Sequence, residues 1–236
     1  MIRRPPRSTL SPSSAASDVY KRQEYAKISA QAGAGFINCT PTIIIGKPEI
    51  VRMFEENKAP IAGDDLESQV GSTALHRAIL SWLNRKGVRV LSTYALDVGG
   101  SPEAFGSLDR DTLFLKRKIK TEAIISALPY KIPAMAGSMD YVDFLRDYRD
   151  TLIHIAGKFF AGAPVTIEVK IRVPDSLNAF NPIIDAIRAM KIAIDRGIYG
   201  TLDSLSAYHF KRPPVRMEPI DAEKAFWEFV NGARNR

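Results

Sequence analysis

The sequence holds one cysteine, Cys39, and three histidines, His76, His154 and His209, spread widely over 236 residues. A lone cysteine excludes an internal disulfide, and the histidine spacing matches no metal-ligand set, so no metal residue is assigned. No apolar run approaches the roughly 18 to 20 residues that a membrane span needs. No internal repeat and no G-x-G-x-x-G motif occur. These absences point to a soluble protein of a reducing, cytoplasmic compartment with no membrane partner.

What is present is apolar content of 45% and a net charge of +7. The first 23 residues carry Arg3, Arg4, Arg7, Lys21 and Arg22 against Asp18, a net of +4, leaving only +3 for the remaining residues. A basic excess confined to one Pro-, Ser- and Arg-rich end argues against nucleic acid as a partner of the folded part. That end shows no helical or strand period and no signal-peptide apolar core. It resembles translated sequencing-adaptor read-through, so residues 1–23 are expected to be a non-native or disordered leader.

From Glu24 the pattern alternates strand and helix. "AGFINCTPT" reads as a buried strand, "PEIVRMFEENK" as a helix with Pro48 near its start, and "APIAGDD" as a second strand, the order of a parallel α/β unit. Leu66, Val70, Ala74, Ala78 and Trp82 recur every four residues and predict a helix from Asp65 to Gly87. "VRVLSTYALDVGG" reads as a strand whose Gly99 and Gly100 mark a tight turn or close backbone approach. "TLIHIAGKFF" and "PVTIEVKIRV" predict an antiparallel pair. "NPIIDAIRAMKIAIDRG" predicts a helix with Asn181 as N-cap and a buried stripe of Ile183, Ile184, Ile187, Met190 and Ile194. "SAYHFKRPPVRM" reads as a loop or short strand, and "DAEKAFWEFVNGA" as a closing helix facing inward through Ala225, Phe226 and Phe229.

Several polar residues interrupt these patterns. Asp64 and Asp65 suit a helix cap, while Ser68, Gln69, Val70 and Gly71 would offer backbone N–H groups to an anion. Asp175 in "VPDS" suits a turn, and Lys211 precedes Pro213 and Pro214 as a solvated cation would. In "LKRKIKTEAI" Lys116 and Lys120 stand four apart, which places two like charges on one helix face. A solvated face, a nucleic-acid patch and a cradle for one small anion all fit that stretch.

The segments "INCTP", "APIAGDDLESQVGST", "GVRVLSTYALDVGG", "KTEAI", "VPDS", "IIDAIRAMKIAIDRGI" and "SAYHFKRPP", in that order, resemble the myo-inositol-1-phosphate synthase family, nearest its archaeal and bacterial branch. The resemblance covers about Phe36 to Pro214. It implies an NAD-dependent isomerase that converts glucose 6-phosphate to inositol 1-phosphate, with a divalent or monovalent cation possible. It further implies a homotetramer and a sugar phosphate as the small-molecule partner.

On this resemblance Lys116, Lys120, Lys211, Asp65, Asp175 and Arg149 are the catalytic positions, and Ser68 to Gly71 bind the substrate phosphate. Asp65 and Asp97 lie toward the cofactor. The implied fold is α/β: a remnant of a Rossmann NAD-binding domain (24–73), an α+β catalytic and oligomerisation domain resembling that of glyceraldehyde-3-phosphate dehydrogenase (74–197), and a C-terminal return (198–236).

The chain departs from the family at Ser101, Glu103 and Asp97, which stand for Asn, Asp and Asn. It departs again at Glu67 and Arg149, each standing for Lys. The glycine-rich dinucleotide motif is not in this sequence, so the chain is expected to be a fragment that does not bind NAD usefully. Two alternatives are a diverged sugar-phosphate cyclase of the same fold, and a non-catalytic oligomerisation or nucleic-acid-binding module.

Overall fold

The computed structural model describes the backbone of residues 12–236 and side chains from residue 19 onward. Helix α1 (Pro12–Gln31) leads into β1 (Phe36–Ile37), α2 (Pro48–Glu56) and β2 (Pro60–Ala62). β1 and β2 pair in parallel, with Phe36 opposite Ile61, as the strand, helix, strand pattern predicts. Ile50 and Phe54 of α2 close over this sheet together with Ala26 and Ala30 of α1.

The leader expectation changes here. Residues 12–23 continue the α1 helix, and Arg22 Nη1 donates to Thr42 Oγ1 at 3.0 Å. Residues 13–31 hold no Gly or Pro, and a helix anchored by Ala26 and Ala30 extends at little cost once nucleated. The rest of the proposed leader, residues 1–11, lies outside the described residues.

Helix α3 spans Ser72–Arg85, later than its sequence period predicts. The Asp64–Glu67 backbone is committed elsewhere: Asp64 and Arg212 exchange N–H···O bonds, Lys211 N donates to Asp65 O at 2.8 Å, and Glu67 N donates to His209 O at 2.8 Å. Asp65 also takes a φ of 64°, which no helical turn accommodates. Val70 and Trp82 consequently face solvent, and His76, Leu80 and Leu83 form the inner face.

The second sheet has the order β4-β3-β5-β6. Strand β3 (Arg89–Gly99) runs to Gly100, where a Cβ would sit 2.4 Å from Arg146 N, the close approach expected of that glycine. Helices α4 (Pro102–Gly106) and α5 (Arg110–Ile125) then cross back to β4 (Ala134–Tyr141), parallel to β3. Strands β5 (Tyr148–Lys158) and β6 (Pro164–Pro174) form the predicted antiparallel pair. Leu80, Val90, Ala95, Ile124, Ile153 and Ile155 fill the layer between this sheet and α3 and α5.

Helix α6 (Phe180–Asp195) returns to the first sheet, where β7 (Gly200–Thr201) pairs in parallel with β2. Its buried face is Ala186, Ala189, Met190 and Ala193, whereas Ile184, Ile187 and Ile194 are about half exposed at 52%, 55% and 48%. The predicted stripe is thus split, with Met190 turned inward and Ile184, Ile187 and Ile194 outward. The sheet lies too close for larger groups: a Cβ on Gly35 would meet Met190 Sδ at 2.7 Å. The helix starts after Ala179, so Asn181 lies inside it rather than capping it. The "SAYH" segment ends helix α7 (Asp203–His209) instead of forming a loop, and α8 (Pro219–Val230) buries Ala225, Phe226 and Phe229 as predicted. Among the described residues no helix is long and apolar enough to cross a membrane.

The α6 packing predicts an unequal pair of substitutions. Ala189→Leu overfills the core and should cost about 1–3 kcal/mol, whereas Ile187→Ala should stay within about 0.5 kcal/mol of the unsubstituted chain. Urea denaturation of both variants measures the contrast, and equal losses would put the isoleucine face in the core.

Candidate active site

The inner face of β3 and β5 changes character along its length. Ala95 pairs with Ile153 in the apolar layer, and one step further Asp97 pairs with Thr151 and Gly99 with Arg149. Helix α5 makes the same change, because Ile119, Ala123 and Ile124 are buried while Lys116 and Lys120 extend from its earlier turns over the polar end of the sheet. Asp109 fixes where α5 starts by accepting from Thr112 N at 3.0 Å. The four cations of the basic stretch therefore divide. Lys116 and Lys120 enter the site, Arg117 donates to Ser138 Oγ at 2.8 Å, and Lys118 is exposed.

Lys120 Nζ donates to Asp97 Oδ2 at 2.7 Å, and Thr151 Oγ1 donates to the other carboxylate oxygen at 2.5 Å. Asp97 is thus held from both sides, and Lys120 is its partner within this chain. Burial pushes Asp97 up, but Lys120, Thr151 and Arg149 outweigh it and leave the carboxyl below the usual range. Lys120 is depressed by burial first and by the charges of Arg149 and Lys211, against the opposing pull of Asp97. A lysine so placed gives up its proton more readily than a solvated one.

Arg149 bridges two elements, donating to Glu103 Oε2 at 2.5 Å and to Asp175 Oδ2 at 2.6 Å. Lys116 pairs with the other oxygen of Glu103 and donates to Ser107 Oγ at 2.5 Å. Ser101 Oγ, the N-cap of α4, is 3.4 Å from Asp175. Burial raises the Asp175 carboxyl, and Glu103 adds to the rise while Arg149 and Lys120 oppose it. Lys211 Nζ donates to Asp65 Oδ1 at 2.9 Å, reinforcing the backbone pairing of the same two residues.

All six catalytic positions expected from the sequence thus fall in charge pairs around one polar end of the sheet, and Lys211 is near enough to depress Lys120. The Ser68–Gly71 loop precedes α3 with Gly71 as its N-cap, and Asn178 Nδ2 donates to Val70 O at 2.9 Å, tying it to the segment after Asp175. Glu67 is not in the cluster, since both its oxygens accept from Arg77 Nη1 at 3.1 Å under α3.

Sequence reasoning did not place Thr151 or Ser107 in the site, and it marked Glu103 only as a departure from the family pattern. The period-2 pattern of "RDTLIHI" carried the signal for Thr151, since it shares a face with Ile153 and Ile155. Ser107 gave none, because the chain path from β3 to α5 brings it there.

No three His, Cys, Asp or Glu side chains converge as a metal site among the described residues. No glycine-rich G-x-G-x-x-G turn occurs in these 236 residues.

A mixed α/β chain whose sheet end carries lysines paired with carboxylates suits the handling of a small anionic substrate. Residues 71–176 match the family model of myo-inositol-1-phosphate synthase. An inositol-3-phosphate synthase of Mycolicibacterium smegmatis is 36% identical over 215 residues, covering 88% of this chain and 59% of that protein. One of Corynebacterium glutamicum is also 36% identical, with 87% and 59% covered. A myo-inositol-1-phosphate synthase-related protein of Thermotoga maritima superposes with a TM-score of 0.75 at 25% identity, over 94% of this chain and 58% of that one. The protein Ari2 gives 0.66 at 29%, over 91% and 60%. The chain is related to the myo-inositol-1-phosphate synthase family, on the side of its bacterial members, and spans about 59% of the length of the curated relatives it matches.

Behind the site, the buried Asp64 carboxylate accepts from Asn38 Nδ2 at 2.6 Å and Ile44 N at 2.9 Å rather than capping a helix. Burial still prevails over these bonds and pushes its carboxyl up to about 6. An acid raised in the folded state holds a proton that the unfolded chain has lost, so its contribution to stability falls as pH rises from about 4 to 6. His76 and His209, pushed down to about 4 by burial, act with the opposite sign, so comparison with a variant isolates Asp64. Between pH 7.5 and 4.5 the stability of the unsubstituted chain relative to Asp64→Asn should rise by about 2 kcal/mol. Denaturation curves at both values measure it, and a constant difference would show that Asp64 titrates normally.

Proposed function

We propose that this chain supplies the substrate-binding and proton-handling residues of an inositol-1-phosphate synthase, which turns glucose 6-phosphate into myo-inositol 1-phosphate. The observation that carries the reading is Lys120, buried against Asp97 and depressed by burial and by neighbouring cations. It accompanies the kinship of the chain to inositol-3-phosphate synthases.

The redox half of such a reaction belongs to NAD, which when bound takes up a hydride and returns it. The proton and oxyanion steps fit the residues of this chain. Once C5 of the sugar is a ketone, loss of a C6 proton gives an enolate, whose C6 attacks the C1 aldehyde and leaves an alkoxide at C1. Lys120 and Lys211 stabilise these oxyanions as charged donors, and Lys120 passes protons because its pKa is lowered. Lys116 and Arg149 hold the phosphate end with the Ser68–Gly71 loop, Arg149 as a forked donor that keeps its proton. Asp97, Asp65 and Asp175 set the positions of Lys120, Lys211 and Arg149.

In the same reading the three-stranded layer is the end of a Rossmann domain, and the four-stranded layer is an α+β catalytic domain. The outer face of that sheet, with Leu96, Leu152 and Met135 exposed, suits contact between subunits of a homotetramer.

Calorimetry with glucose 6-phosphate should show binding that Lys211→Ala weakens by about tenfold or more, and Lys120→Met by a similar factor. Binding unchanged in both variants would remove the lysine cluster from the site. Inositol 1-phosphate formed from labelled glucose 6-phosphate and NAD, detected by NMR, tests the full reaction. A different product would assign a diverged cyclase.

A further inference from the structure

The charge pairs of the site include four cations, Lys116, Lys120, Arg149 and Lys211, and four carboxylates, Asp65, Asp97, Glu103 and Asp175. Such a set is neutral, so an incoming phosphate dianion meets no net attraction unless one carboxylate yields its place. Three are poor candidates: the side chains of Asp97, Asp65 and Asp175 are 1%, 11% and 23% exposed. Glu103 is 54% exposed and rides on the five-residue helix α4.

Glu103 also differs in what it occupies. Its two oxygens satisfy Lys116 and Arg149, one each. Two oxygens of a phosphoryl group offer the same pair of acceptors. If Glu103 swings out, Lys116 keeps Ser107 and Arg149 keeps Asp175, so neither cation loses all support.

We infer that Glu103 is an internal anion that occupies the phosphate position of the site and is displaced by the phosphate of the substrate. It acts as a charge-selective latch, because a dianion can replace a carboxylate there and a neutral sugar cannot. The inference rests on the sugar-phosphate reading of the site. It goes further by giving a rim residue the role of competitor rather than ligand.

Calorimetric titration of the unsubstituted chain, Glu103→Gln and Glu103→Ala tests it, with inorganic phosphate, glucose 6-phosphate and glucose as probes and circular dichroism as the check on folding. Removing the competing charge should tighten phosphate and glucose 6-phosphate by about tenfold in both variants, with the gain shrinking as salt is added and no change for glucose. Tighter phosphate without glucose 6-phosphate binding supports the latch and overturns the sugar-phosphate reading. Both anions binding the unsubstituted chain but unchanged or weaker in the variants overturns the latch and leaves that reading in place. No anion binding in any of the three chains overturns both.

Discussion

The structure of the site depends on one buried pair, Lys120 and Asp97. A carboxylate this deeply enclosed is tolerable only when opposite charge and hydrogen bonds meet both of its oxygens, and Lys120 and Thr151 do so. That requirement constrains how α5 lies on the sheet, because the same helix must also bury Ile119, Ala123 and Ile124. The position of Lys116, one turn earlier, follows from it. Burial and the nearby cations Arg149 and Lys211 lower the affinity of Lys120 for its proton.

A second constraint is the joining of two chain segments far apart in sequence. The Asp64–Glu67 backbone pairs with His209–Arg212, so Asp65 and Lys211 are linked by main chain as well as by side chain. This pairing holds residues 64–71 out of a helix and leaves the Ser68–Gly71 loop ahead of α3. Two of the segments that carry the resemblance, "APIAGDDLESQVGST" and "SAYHFKRPP", are the ones this pairing joins.

Much of the fold is legible in the residues. The strand, helix, strand order near the start, the alternating β6 pattern and the inward face of α8 follow from local period, because each element buries one face against a layer already implied by its neighbours. Two readings fail for a shared reason. The Leu66–Trp82 period and the isoleucine stripe of α6 both count apolar residues without knowing the width of the space they must enter. Ala186, Ala189 and Ala193 fit where isoleucine would not, and backbone pairing overrides helix periodicity at Asp65.

The candidate site divides along the same line. The sequence alone determined which residue types were available: lysines four apart on α5, aspartates at strand ends and a conspicuous shortage of histidine and cysteine. Those residue types suit charge-based handling of a small anion. Only the tertiary structure decided which charges meet. Thr151 reaches Asp97 across a strand pair, Glu103 reaches both Lys116 and Arg149 from a short helix, and Glu67 turns away to Arg77. The physical reason is that a charge pair is set by distance in space and by exclusion of water, and neither is written in the spacing of residues along the chain.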